Sequence, residues 1–173
     1  MTARRGDENA PKKVKKRYIA SLDGLRALAV IAVICYHLDL KFALGGLLGV
    51  TVFFVLSGYL ITGLLMAELE ETGTVNLPQF WLRRVRRLFP AIVLAVVVVT
   101  ALCVLFNHPL LTKLRPDVGP SLFWFQNWWY VFRGLSYFES LGDPSPLTHF
   151  WSLAIEEQFY LVWPILLLLV SKL

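Results

Sequence analysis

Two uncharged apolar runs constrain this chain more than any other feature. Leu44–Met66 and Phe89–Phe106 contain no Asp, Glu, Lys or Arg. A bilayer's hydrocarbon core is about 30 Å thick and takes roughly 20 apolar residues in a helix, whereas buried helices of soluble proteins carry runs of roughly 10–14. A strand is a poor reading even of the Val-rich Val96–Val99, because in lipid every backbone polar group must be satisfied within its own segment. Two more stretches have the length of a span but carry charge: Tyr18–Leu40, with Asp23, Arg26, His37 and Asp39, and Phe150–Val170, with Glu156 and Glu157. Residues 118–138 are rich in aromatics (Trp124, Trp128, Trp129, Tyr130) but include Gln126, Asn127 and Arg133. They are expected to form a fifth span. The alternative there is an interfacial helix, since Trp and Tyr favour the headgroup level. The predicted fold class is all-α, a polytopic transmembrane helix bundle of four to five spans.

Composition agrees. Hydrophobic residues are 57% and charged residues 17% of the chain, against roughly 45–50% and 25% in soluble domains. Disorder is excluded by the abundance of apolar side chains. With only Cys35 and Cys103, both inside apolar runs, so is a disulfide scaffold. The 17 Lys+Arg exceed the 12 Asp+Glu, a balance that invites a nucleic-acid reading. The basic residues flank the spans, however, and the positive-inside rule explains them without nucleic acid. Seven precede Tyr18, four (Arg83, Arg84, Arg86, Arg87) follow the second span, and Lys41 stands alone between the first two. The tail 1–17 and the 67–88 loop are therefore both expected in the cytoplasm, with two crossings between them. Residues 18–173 form the membrane domain, in the cell membrane. The tail and first run do not read as a cleavable signal, because the run is long and ends in Cys35-Tyr36-His37.

Ionisable groups inside spans are costly and mark candidate sites. Arg26 and His37 are eleven residues apart, which returns a helix almost to the same azimuth after about 16 Å of rise. One face with a fixed cation and a titratable imidazole suits an anionic substrate and proton transfer. A buried hydrogen-bonded histidine with a snorkelling arginine is the bland alternative. In Gln79–Pro90, Arg83 shares a helical face with Arg86, and Arg84 with Arg87. Their guanidinium forks suit phosphate oxygens, or, more simply, they anchor topology on anionic lipid. His149, Glu156 and Tyr160 fall on one helix face, and Glu156, Glu157 and Gln158 must face protein, a cavity or the interface. Ser57 has no base beside it in sequence. Gly58 next to it, and Gly45, Gly46 and Gly49, allow close helix approach or a break. Pro90 is placed in the first turn of span three, and Pro164 should kink the last span.

Four blocks carry a resemblance: Leu22-Asp-Gly-Leu-Arg-Ala-Leu-Ala-Val with Tyr36-His37; Val52-Phe-Phe-Val-Leu-Ser-Gly-Tyr-Leu-Ile61; Phe80-Trp-Leu-Arg-Arg-Val-Arg-Arg-Leu-Phe-Pro90; and Trp151-Ser-Leu-Ala-Ile-Glu-Glu-Gln-Phe-Tyr-Leu-Val-Trp-Pro164. In this order they resemble the membrane acyltransferase 3 family, bacterial O-acetyltransferases of surface and secreted polysaccharides, peptidoglycan included. The resemblance implies a cytoplasmic acyl donor, acetyl-CoA, and a saccharide hydroxyl as acceptor. It implies that Arg26 and His37 are the family's arginine–histidine pair, with His37 as general base or acyl relay and Glu156 supporting its charge. The family's Arg-x-x-Arg is carried onto Arg84 and Arg87, with Arg83 and Arg86 as a second register, to hold the phosphates of coenzyme A. No metal is called for. Membrane lipid is a partner and nucleic acid is not. Family members have about ten spans, and many add an extracytoplasmic SGNH hydrolase-like domain. The chain is thus expected to be an incomplete bundle whose partners include a missing C-terminal half or that domain, and to be inactive alone. Two other classes compete: a proton-coupled exporter of a saccharide intermediate, with His37 and Glu156 as a proton relay, and a non-catalytic scaffold.

Overall fold

The computed structural model describes residues 19–134 and 144–172. The basic tail 1–17, residues 135–138 of the expected fifth span and residues 139–143 of the loop after it lie outside the described residues. Among the described residues there are six α-helices and no strand: α1 (Ala20–His37), α2 (Leu48–Thr72), α3 (Leu77–Phe106), α4 (Leu110–Leu122), α5 (Gln126–Phe132) and α6 (Phe150–Val170). Four of them, α1, α2, α3 and α6, are long and apolar enough to cross a membrane. The protein is an all-helical membrane protein.

The chain divides into two compact units, the first ending at Gly49 and the second beginning at Val50. In the first unit, α1 is followed by a short 3₁₀ turn at Lys41–Ala43 and by Gly46 and Gly49, which lie against its side. A Cβ at Gly49 would stand 2.5 Å from the Ala29 carbonyl oxygen and 2.8 Å from Val33 Cγ2. Only a residue without a side chain fits there. Ala29 is buried in this contact. The expectation of close approach holds at Gly46 and Gly49. Gly45, where a Cβ would meet nothing nearer than 4.0 Å, lies instead in the break before α2, and Gly58, inside α2 with nothing within 4 Å of a Cβ, shows neither.

In the second unit, α2 and α3 form a hairpin. Gly73 at φ 72° ends α2 in the left-handed region, where glycine carries no Cβ penalty. The Asn76 side chain then caps α3 by accepting from the Gln79 N–H at 3.1 Å. A turn this short makes the two helices antiparallel neighbours. The loop expected at 67–88 is therefore confined to residues 73–76. The arginines stand on α3 itself, and Pro90 lies in its interior rather than its first turn. The reason is propensity: Leu and Arg are good helix formers, so the helix runs on beyond the apolar stretch. Its 30 residues make about 45 Å, longer than the hydrocarbon core.

Helix α6 runs parallel to α2, since Ser57 meets Glu156 and Thr62 meets Trp163. It runs antiparallel to α3, with Trp81 at the level of Tyr160 and Ile92 and Val96 near Phe150 and Leu153. The start of α6 is thus on the side of the membrane where α3 ends. Two apolar clusters hold the unit. One joins Ile92, Val96 and Cys103 of α3 to Leu111, Leu114 and Leu147; the other joins Ile61 and Leu65 of α2 to Val75, Phe80 and Tyr160.

The expected fifth span is not a continuous helix. Helix α4 stops at Leu122, the chain turns at residues 123–125 with Trp124 at φ 54°, and α5 follows for seven residues. The cause is the segment's own polar groups. Asp117, Ser121 and Gln126 are 2%, 1% and 0% exposed, and the turn folds them onto partners. Trp129 Nε1 and the Tyr130 hydroxyl donate to the two Asp117 carboxylate oxygens at 3.1 and 2.9 Å. Gln126 Nε2 donates to the Tyr130 oxygen at 2.8 Å, and the Ser121 hydroxyl donates to Gln126 Oε1 at 3.3 Å. A straight helix would spread these groups around its circumference towards lipid, where each would go unsatisfied.

Candidate active site

Within the second unit the polar residues of α2, α3 and α6 converge on Glu156. The Ser57 and Tyr160 hydroxyls both donate to Glu156 Oε1. The Tyr160 contact is the one that i,i+4 spacing predicts. The Ser57 contact joins residues 99 positions apart, and sequence reasoning gave Ser57 no base. The only signal for it was that a hydroxyl and a carboxylate, each inside an apolar run, both need a partner. Ser57 is 4% and Tyr160 3% exposed.

Arg84 lies over the Tyr160 ring, its guanidinium carbon 3.5 Å from the centroid, with the Phe80 ring at 5.8 Å on its own helix. A guanidinium on an aromatic face gains cation–π attraction, more when desolvated. Arg84 also acts electrostatically on Glu157, whose Oε1 is buried without a hydrogen-bond partner among the described residues. Trp81 Nε1 donates to the Tyr160 carbonyl at 3.1 Å, locking α3 to α6 at this level. The other arginines differ. Arg83 pairs with Glu68 of α2 at 3.7 Å, while Arg86 and Arg87 are exposed. Only Arg84 of the four is built into the cluster.

In the first unit, α1 is one uninterrupted helix from Ala20 to His37, so Arg26 and His37 share a face as their spacing required. Arg26 pairs with Asp23 at 3.8 Å. His37 ends the helix, and its Nδ1–H donates to the Val33 carbonyl at 2.8 Å. With the proton on Nδ1, Nε2 is the basic nitrogen of the neutral ring. His149 is the residue before α6 and is exposed.

An intramembrane carboxylate receiving two hydroxyls, beside an arginine held on an aromatic ring, brings a hydrogen-bonded acidic side chain and a fixed guanidinium together within the second unit. The chain belongs to the acyltransferase 3 family: the family's acyltransferase-domain model matches residues 19–173. Its relatives include the peptidoglycan O-acetyltransferase OatA of Listeria monocytogenes, 53% identical over 92% of this chain and 26% of that protein. YrhL of Bacillus subtilis, assigned to peptidoglycan O-acetylation, is 52% identical over 87% of this chain and 24% of its own length. A Staphylococcus aureus protein assigned as an O-acetyltransferase is 46% identical over 88% and 25%. The chain thus spans about a quarter of the length of the curated relatives it matches. No solved structure matches it.

Proposed function

We propose that this chain works in an integral-membrane O-acyltransferase that moves an acetyl group from cytoplasmic acetyl-CoA to a hydroxyl of a cell-surface saccharide, with peptidoglycan as the acceptor suggested by the relatives. The observation that carries this reading is the cluster of Ser57 and Tyr160 on Glu156 with Arg84 on the Tyr160 ring, in a chain of acyltransferase family. In the transfer, His37 Nε2 takes the proton of the acceptor hydroxyl. The oxygen attacks the thioester carbonyl, the C–S bond breaks, and the coenzyme A thiolate leaves with the proton returned by the imidazolium. Glu156 is the carboxylate of the transfer centre, oriented by its two hydroxyl donors. Arg26, on the face of α1 that carries His37, provides fixed positive charge. Arg84 and Arg87, with Arg83 and Arg86 beside them, hold the donor's phosphates through bidentate contacts. The basic residues at both ends of the first two spans favour a cytoplasmic N-terminus and a cytoplasmic arginine cluster.

The test is the O-acetyl content of surface polysaccharide in cells producing the protein, normalised to its amount in the membrane. His37→Ala and Glu156→Gln are each expected to abolish acetylation while the protein stays in the membrane. Arg84→Ala with Arg87→Ala is expected to raise the apparent KM for acetyl-CoA. Full acetylation with His37→Ala removes the catalytic assignment, and proton-coupled saccharide movement without acetyl-CoA replaces it with an exporter.

A further inference from the structure

The break between α4 and α5 lies deep. The Trp124 ring packs edge-on against Phe89 at 6.4 Å, and Phe89 stands seventeen residues before the end of α3, about 25 Å along its axis. Non-helical backbone at membrane depth persists only where protein satisfies the freed groups. Two of these groups are satisfied locally: the Phe123 N–H donates to the Gly119 carbonyl at 3.1 Å and the Phe125 N–H to the Pro120 carbonyl at 3.0 Å. The Trp124 carbonyl, turned outward by the left-handed φ, is met from another helix. Gln158 Nε2 of α6 donates to it at 2.8 Å and to Asn127 Oδ1 at 2.9 Å. Gln158 Oε1 accepts from Asn127 Nδ2 at 3.1 Å and from Trp128 Nε1 at 3.2 Å. Both N–H groups and both lone pairs of one amide are therefore spent on residues 124–128. On the far side of the corner, Asp117 holds Trp129 and Tyr130, so the segment gripped by Gln158 is itself fixed to α4.

We propose that Gln158 is a positioning residue of the acyl-transfer site. By capping the α4–α5 break it sets the rotation of α6, and with it the aim of Glu156, two residues earlier, at Ser57. The proposal rests on the assignment of Glu156 to the transfer centre. A side chain that anchored α6 only for stability would cost folded protein, whereas one that aims a carboxylate costs turnover, because small misplacements of catalytic groups lower rates by up to about 100-fold.

The experiment measures acetyl transfer from acetyl-CoA in membranes containing the full protein, with the folded amount read separately by size-exclusion in detergent. Gln158→Ala and Gln158→Glu, the latter keeping the acceptor but losing the donor to the Trp124 carbonyl, are expected to lower kcat about 10-fold or more while the KM for acetyl-CoA stays within about 2-fold. Asn127→Ala is expected to cost less, and Gln158→Ala with Asn127→Ala to be no worse than Gln158→Ala alone, as for residues in one network. Unchanged kcat, a loss that tracks folded protein, or additive effects overturn the proposal. If Gln158→Ala fails to fold, Gln158→Glu and Asn127→Ala decide on the same criteria. Glu156→Gln serves as the control. If it is fully active, the transfer-site reading falls and this proposal with it. If it is inactive while the Gln158 variants are normal, only the positioning role falls.

Discussion

Tyr160 does two things at once: its ring carries the Arg84 guanidinium at 3.5 Å and its hydroxyl donates to Glu156. The two functions are separable. Tyr160→Phe keeps the ring and removes one donor to a carboxylate, a bond worth about 1.5–3 kcal/mol. The expected outcome in acetyl-transfer kinetics is a kcat about 10-fold or more lower with the KM for acetyl-CoA unchanged. Tyr160→Leu removes the ring as well and is expected to raise that KM. At this scale the sequence showed the i,i+4 pair Glu156–Tyr160, because helical periodicity alone brings those residues together. Ser57 was not visible, because its partner is on another helix.

Among the elements, the clearest test contrasts two glycines four residues apart. Gly49 sits where any Cβ meets the Ala29 carbonyl and Val33, while at Gly45 the nearest atom, Leu48 Cδ1, is 4.0 Å from a Cβ, an ordinary contact. Gly49→Leu is expected to destabilise the first unit by roughly 1–3 kcal/mol through overpacking, measured as a lower thermal midpoint in detergent, with Gly45→Ala silent. The cap of α3 is milder. Asn76→Ala removes the side-chain acceptor for Gln79 and is expected to cost about 1 kcal/mol in the same measurement. Three of the four long helices match the sequence reading closely, since apolar length is itself the signal. The start of α3 and the α4–α5 corner do not. Hydropathy marks where a helix is apolar, not where it stops, so the arginine run read as loop. The corner escaped because its polar side chains answer one another across a turn, which no helical or strand period encodes.

For the whole molecule, the parallel course of α2 and α6 makes a topological prediction. The end of α3 and the start of α6 share one side of the membrane, and the α2–α3 turn lies on the other. Single cysteines placed at Asn107 and Pro144, in a background with Cys35→Ala and Cys103→Ala, should react from the same side with an impermeant thiol reagent. A cysteine at Thr74 should react only from the opposite side, the cytoplasmic one if the positive-inside rule governs insertion. Labelling of Asn107→Cys and Pro144→Cys from different sides would require a complete crossing between α3 and α6.

The sequence by itself determined that the chain is helical and membrane-spanning, and which blocks mark its family, because apolar length, basic flanks and local spacing are properties of contiguous residues. Only the tertiary structure decided that Ser57 and Tyr160 share one oxygen of Glu156, that Arg84 alone of four arginines rests on Tyr160, and that Gln158 closes a break in a neighbouring segment. The physical reason is common to all three. A polar group in an apolar surround must find a partner, but which partner it finds depends on helix packing and not on position along the chain.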